Sequence, residues 1–329
     1  MLNIELLNTL VRPFGISDAD LEFIQHSQNI VYRQLNRKRV IRISKERYRT
    51  ESQTKAELDW VNYLAKQNIS VCRPVPTENG QTFLSCVIEG VHYIVSSFEH
   101  APGLAALRQD ADEVVFEKLG ALNGKMHQTA KSFATTGHPL DRLMCHESRL
   151  LNEDFLEFKQ SITPKFRDSI LDMISELNEG RRTPESFGLT HGDINFVNFY
   201  QDNGELWIYD FDNCEYGYHL QDLATTLYDS IYCKVLNKFA DEGLNSRIKF
   251  LWGPLLKGYL INSPSKAVDT SRLKKFFILR EAIIYVHYHR TLNVEELGDS
   301  FHRGLEVMRL NVENQTHQVD FAAISNLKN

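Results

Sequence analysis

One stretch, from His191 to Asp212, constrains this chain more than any other. It reads His191-Gly192-Asp193-Ile194-Asn195-Phe196-Val197-Asn198 and then, past Asn203-Gly204, Glu205-Leu206-Trp207-Ile208-Tyr209-Asp210-Phe211-Asp212. A polar loop, a short strand pair about an Asn-Gly turn and a carboxylate leaving a β-run predict a hairpin. Such a hairpin would gather Asp193, Asn198 and Asp210 around one small volume. Phosphoryl transfer needs a carboxylate to take or orient the acceptor's hydroxyl proton, and hard oxygen ligands to hold magnesium on the phosphates. Asp193 suits the first task. Asn198 and Asp210 suit the second, because an amide oxygen and a carboxylate together bind the metal without overcharging the site. His191 is expected to pack inward and hydrogen-bond backbone rather than act as the base.

The elements around this stretch divide the chain. Residues 2–10 suit a short amphipathic helix, and β-rich segments follow at 29–35, 39–44, 82–87 and 91–98, the last two joined at Glu89-Gly90. Between them a helix from about Thr50 to Gln67 opens with Thr50 and Gln53 as a capping box and carries an apolar stripe of Leu58, Val61, Leu64 and Ala65. Glu57 falls at the edge of that stripe, where a carboxylate needs a cationic partner. After Ser97–Gly103 helical periodicity dominates, with helices expected near 112–128, 147–160, 165–179, 219–240, 245–262, 271–291 and 293–310, and a loose tail over the last dozen residues. The expected fold is α+β in two packed lobes, 1–98 and 99–329.

The segments HGDINFVN and IYDFDN resemble the catalytic and metal-binding loops of the aminoglycoside phosphotransferase and choline kinase superfamily, cousins of the protein kinases. The likeness is more particular to the bacterial small-molecule kinases, including homoserine-kinase-like members, and covers nearly the whole chain. It implies a two-lobed protein-kinase-like fold, with a small β-rich nucleotide-binding lobe and a larger helical lobe for catalysis and the acceptor. By this resemblance Asp193 is the catalytic base, and Asn198 and Asp210 are the magnesium ligands. Asp212 is a second metal-site or loop-supporting carboxylate. Arg42 is the phosphate-binding cation, paired with Glu57, where lysine is commoner; a planar guanidinium engages phosphate differently from a lysine point charge. Residues 26–34 contain no glycine, so Ser27 and Asn29 stand where a glycine-rich loop would cover the phosphates. The strand end at Ser96–Glu99, with Phe98 and Glu99, resembles the hinge whose backbone reads the adenine edge; backbone readout leaves ATP against GTP open. Asp222 resembles an aspartate that braces the catalytic loop, and His127 a packing histidine.

In this superfamily the helical lobe encloses the acceptor, which makes Tyr228, Asp229, Arg280, Glu281, Tyr285, His287, His289 and Arg290 the residues to watch. Arg280, His287 and Arg290 could meet an anionic group, favouring an amino acid or sugar acid over a polycationic aminoglycoside. An amino alcohol or amino sugar would also satisfy the visible chemistry.

Bulk properties exclude other classes. With 42% apolar and 24% charged residues the chain has material for a large core. Lys plus Arg number 37 against 43 acidic residues, a net charge of −6, and no long basic run speaks for nucleic acid. No window is apolar enough to span a membrane. Five scattered cysteines without a CxxC pair read as reduced thiols in a cytoplasmic protein, acting as monomer or homodimer. The expectation is therefore an ATP- and Mg²⁺-dependent kinase of a small hydroxylated molecule. Two alternatives stand beside it: a catalytically silent nucleotide-binding scaffold, motivated by Arg42 and the glycine-free segment, and a protein Ser/Thr kinase. The second has little backbone for a peptide, since Gln221 follows Asp210 closely.

Overall fold

The computed structural model describes residues 2–26, 28–45, 49–105, 112–134, 140–148, 162–236 and 243–325. The chain forms two compact units. The first comprises residues 1–104, 139–142 and 199–212; the second comprises 105–138, 143–198 and 213–329. The hairpin that carries Asp210 thus belongs with the N-terminal residues, whereas a single cut after residue 98 would assign it to the helical remainder.

The first unit is built on an antiparallel sheet in the order β1-β2-β3-β5-β4. Its strands are β1 (Leu21–His26), β2 (Ile30–Gln34), β3 (Arg39–Lys45), β4 (Leu84–Ile88) and β5 (Val91–Glu99). Four of them fall where β-rich composition puts them. β1 does not announce itself, because all of its residues after Leu21 are exposed and no alternation marks a buried face. The turn between β4 and β5 sets both Glu89 and Gly90 at positive φ, 51° and 77°, a backbone whose twist matches that of the flanking strands. Helix α1 (Ile4–Val11) supplies Leu7, Leu10 and Val11 to a core shared with Ile30, Tyr32, Ile41, Ile43 and Val95.

Helix α2 (Glu51–Lys66) begins at the Thr50–Gln53 capping box, with both reciprocal hydrogen bonds present. It buries Leu58, Trp60, Val61 and Leu64. The hairpin of β7 (Phe199–Asp202) and β8 (Glu205–Ile208) turns at Asn203-Gly204, both at positive φ. Ile208 anchors it through backbone bonds to Ser70 and Cys72.

In the second unit β6 (Phe187–Thr190) pairs antiparallel with β9 (Glu215–Tyr218). Its helices are α3 (Glu113–Ala134), α4 (Pro164–Glu179), α5 (His219–Leu236), α6 (Gly243–Asn262), α7 (Leu273–Thr291), α8 (Asp299–Asn314) and the short α9 (Phe321–Ser325). The helix expected at 147–160 lies largely outside the described residues. The one expected at 293–310 instead starts at Asp299, after a single 3₁₀ turn over Val294–Glu296.

Helices α3 and α6 pack backbone to backbone. A Cβ at Gly120 would lie 2.0 Å from the Leu255 carbonyl oxygen, at Gly124 2.4 Å from that of Tyr259, and at Gly258 1.9 Å from that of Glu117. No side chain fits at these three positions. Nor do the described residues of the last dozen, 318–325, form the loose tail that the sequence suggests. His317 is fully buried, Val319 and Ile324 are buried, and Phe321 packs edge-on against Phe277. Among the described residues no helix is long and apolar enough to cross a membrane.

Candidate active site

The loop from His191 to Asn198 is held by one face of α5. Asp222, wholly buried, accepts the backbone N–H groups of His191 and Gly192, both at 2.8 Å. One turn on, the Thr226 hydroxyl donates to the Ile194 carbonyl at 3.1 Å, and Asp229 accepts the Phe196 N–H at 3.0 Å. Residues 222, 226 and 229 follow the i, i+4, i+7 repeat of a helix face, so a single helix addresses the loop backbone at three points. Gly192 sits at φ +82°, with room for no side chain: a Cβ would lie 2.3 Å from the Asn213 carbonyl oxygen.

Asp222 is supported in turn. His127 Nε2 lies 3.0 Å from its Oδ2, and Tyr259 Oη lies 3.1 Å from His127 Nδ1. Burial pushes the Asp222 carboxyl up, but the His127 hydrogen bond and charge, with those of His191, outweigh it and hold the group below the ordinary carboxylate value. The brace is therefore an anion, able to accept both loop N–H groups. His219 stacks on His127 with ring centroids 4.2 Å apart. Burial first, and the neighbouring His127 second, drive its pKa well down, so this imidazole is neutral.

This bracing fixes Asp193. The Asn195 amide donates to its Oδ1 at 2.9 Å, and the Asn198 amide donates to its backbone oxygen at 2.9 Å and to Oδ2 at 3.2 Å. From α7, Arg280 Nη2 approaches Oδ1 at 2.7 Å. His191 is buried, and its Nδ1 accepts the N–H of Asp193. The nitrogen end of Asn198 faces Asp193, which turns its oxygen end elsewhere.

In the first unit Arg42 of β3 and Glu57 of α2 form a two-pronged ion pair at 2.8 and 2.7 Å, both nearly inaccessible. Phe98 lies under the same guanidinium, its ring centroid 5.1 Å from the Arg42 Cζ. Asp212 is enclosed by three arginines. Arg49 Nε stands 3.2 Å from its Oδ1 and Arg42 Nη1 4.0 Å, while Arg49 and Arg142 both donate to its backbone carbonyl. Burial raises the Asp212 carboxyl, yet these arginines overwhelm that effect and keep it ionised far below the usual range. Asp212 thus ties its own loop to Asn29, Arg49 and Arg142. Asp210, two residues earlier, is exposed and adopts a left-handed backbone at φ +65°. That region is sparsely populated for residues other than Gly, Asn and Asp.

Several expected site residues lie elsewhere. Ser27 is outside the described residues. Asn29 is buried, with its amide nitrogen on Asp212 at 3.1 Å and its oxygen taking the Ser44 hydroxyl at 2.6 Å, so its side chain is spent within the protein. On Ser96–Glu99 the Ser97 carbonyl already accepts the Val75 N–H, and the Glu99 N–H already donates to Arg73. The Glu99 side chain pairs with Arg73 as well. The backbone of Phe98 belongs to the ladder with Val40, so open backbone begins only past the Glu99 N–H.

Among the acceptor residues, Tyr228 is fully buried against Glu281, which itself also meets Asn311 and His317. Asp229 is consumed by the loop, Tyr285 packs on Phe166 and His289, and His289 bonds the Tyr285 carbonyl. Arg280, paired with Asp193, and the exposed His287 stand seven residues apart on one face of α7; the helical repeat turns Arg290 toward another. The parts that sequence reasoning missed are Asn195, Thr226, Arg49, Arg142 and the Arg280–Asp193 pair. Only Thr226 left a signal, in the 222/226/229 repeat of polar residues at helical spacing.

The second unit thus holds a carboxylate braced from α5 and paired with an asparagine and an arginine, and the first unit holds a buried arginine–glutamate pair. Residues 22–255 match the phosphotransferase enzyme family, APH, and the chain belongs to that family. Amicoumacin kinase of Bacillus subtilis (strain 168) is 26% identical over 330 residues, covering 97% of this chain and 95% of that protein. The fold is shared with the solved structure of amicoumacin kinase hAmiN in complex with AMP-PNP, Ca2+ and Ami, at a TM-score of 0.83 and 22% identity over 97% and 96% of the two chains. A microcompartment-associated aminopropanol kinase superposes with a TM-score of 0.71 and 17% identity over 94% and 95%.

Proposed function

We propose that this phosphotransferase moves the γ-phosphoryl group of ATP to a hydroxyl of a small molecule, with Asp193 orienting that hydroxyl. The observation that carries the reading is the Asp193 carboxylate itself, fixed by Asn195, Asn198 and Arg280 on a loop whose backbone is held at three points. Phosphoryl transfer passes through a loose transition state, so the protein's task is positioning and charge stabilisation rather than strong base catalysis. A carboxylate held by three donors suits that task.

The residues present fit a divalent cation. Asn198 gives its nitrogen end to Asp193 and keeps an oxygen to offer, and Asp210 is an exposed carboxylate on a left-handed backbone. Asn198 and Asp210 would hold magnesium, which when bound neutralises charge on the phosphates. Arg42, fixed by Glu57, contributes positive charge in the first unit; with the His100 N–H given to the Lys38 carbonyl and the Ala101 carbonyl to His100 Nδ1, the Glu99 carbonyl and the Ala101 N–H are the groups that would meet the adenine. Arg280 and His287 address the acceptor.

The test is ATP consumption with magnesium against a panel of amino alcohols, hydroxylated amino acids, amino sugars, aminopropanol and amicoumacin. Turnover is expected with at least one acceptor, and Asp193→Asn lowers it by about 10²–10⁴-fold while ATP still binds. The silent-scaffold alternative rests on the arginine, Arg42, that stands where lysine is commoner, and on the glycine-free segment 26–34. Tight Mg-ATP binding without turnover on any acceptor would select it.

A further inference from the structure

Arg280 does more in this structure than point at an acceptor. Its Nη2 occupies Asp193 Oδ1 at 2.7 Å, the oxygen that Asn195 also binds, and both partners are largely sheltered, with side chains 14% and 20% exposed. The Arg280 Nε is buried and has no hydrogen-bond partner among the described residues. A buried donor left unmet is unfavourable, and a ligand oxygen would satisfy it. The helix beneath cannot slide to relieve it. Glu281, the next residue, is inaccessible, and its Oε1 accepts the Tyr228 hydroxyl at 3.3 Å and the Asn311 amide at 3.2 Å, with His317 Nε2 3.3 Å away. Movement of Arg280 is therefore movement of its side chain alone.

Resting on the kinase reading above, we propose that Arg280 is a positioning residue that guards Asp193 against water and selects acceptors carrying a carboxylate, carboxamide or other carbonyl oxygen beside the reactive hydroxyl. Without an acceptor, the guanidinium fills the place where a hydroxyl would be oriented. An acceptor oxygen takes up the guanidinium's unmet donor, draws it aside and leaves Oδ1 to the reactive hydroxyl. The acceptor O–Pγ bond then forms as the bond from Pγ to the β–γ bridging oxygen breaks, its electron pair leaving with ADP. The hydroxyl proton passes to Asp193 and on to solvent. When water stands in for the acceptor, the same bonds change and the product is inorganic phosphate, the loss that Arg280 suppresses. Arginine serves here where lysine would not, because its planar fork can hold a carboxylate and a second oxygen together.

The experiment needs no knowledge of the acceptor. Phosphate release from Mg-ATP by the full chain is measured without acceptor for wild type, Arg280→Met, Arg280→Gln, Arg280→Lys and the double variant Asp193→Asn/Arg280→Met, with ATP binding and thermal melting recorded for each. We expect Arg280→Met and Arg280→Gln to raise release at least about tenfold, Arg280→Lys to raise it less, and the double variant to abolish the gain. ATP affinity should be unchanged. Acetate, which offers a carboxylate and no hydroxyl, should raise release by the wild type and leave Arg280→Gln unmoved, a readout that does not depend on any variant being more stable than the parent. Folded Arg280 variants that bind ATP yet release no more phosphate than wild type would overturn the guard, as would a wild type indifferent to acetate if the variants do not fold. Failure of the wild type to bind Mg-ATP would instead sink the kinase reading and the guard with it.

Discussion

Asp212 shows how far a single residue can depart from its surface habit. A carboxylate enclosed by Arg42, Arg49 and Arg142 survives burial because charge and hydrogen bonds replace its water. Removing one partner leaves the others uncompensated. Glu57→Gln, which strands the Arg42 guanidinium, is expected to cost about 3–5 kcal/mol in urea unfolding and to raise KM for ATP. Arg42→Lys should weaken both quantities too, since an ammonium cannot reproduce the two-pronged geometry. At this scale the sequence spoke clearly where residues close in the chain form one loop, as with Asp193 and Asn198. The helix stripe also indicated that Glu57 needs a cationic partner, and the resemblance of the 39–43 strand to one carrying a phosphate-binding cation named that partner as Arg42. The sequence was silent on Arg49 and Arg142, and on Asp193 as the partner of Arg280, because these partners lie far along the chain and such charges suit a solvated surface equally well. Tyr228 and Asp229 misled for a related reason: polarity on a helix says nothing about whether the partner is a ligand or the protein's own backbone.

Among the elements, α3 and α6 are the pair with least tolerance. Gly258→Ala places a methyl against the Glu117 carbonyl, which backbone must move to admit; we expect a loss of about 1–3 kcal/mol, read as a lower midpoint in urea with an unchanged slope. The stacked histidines at the root of α5 add a pH dependence. Because the folded-state pKa of His219 is depressed, the unfolded chain binds the extra proton as pH falls below about 6.5. Stability contributed by the neutral imidazole is thus complete above that value and declines below it, by at most about 1.4 kcal/mol per pH unit. Unfolding measured between pH 7.5 and 5.5 should show the decline, and His219→Gln should flatten it. Helix α2 was legible from its cap and stripe, and α4, α6 and α7 from helical periodicity. β1 was not, because an edge strand exposed along most of its length carries no burial pattern, and the start of α8 was missed because its N-cap is Gly298, without a side-chain signal.

At the level of the molecule, the nucleotide reading makes a thermodynamic prediction. Mg-ATP at about 100 times its dissociation constant should raise unfolding free energy by about 2.7 kcal/mol, and chelating the metal should remove most of the gain. Calorimetry in both conditions checks it. The composition of the whole chain gave the two-part architecture, but not the allotment of the 199–212 hairpin to the first unit, which follows from backbone bonds of Ile208 to Ser70 and Cys72 that no local pattern foretells.

That same Cys72 is buried, and burial, with the charge of Glu99 behind it, pushes its thiol up to about 12; Cys145, in the second unit, is buried and likewise pushed up to about 12. Only a thiolate reacts with a disulfide reagent, so neither sulfur answers in the closed fold. Each becomes visible when its own unit opens. The protein therefore carries a chemical clock in each half, and the rates at which the two sulfurs are trapped would report, without any added label, which half breathes first and which one the nucleotide quiets.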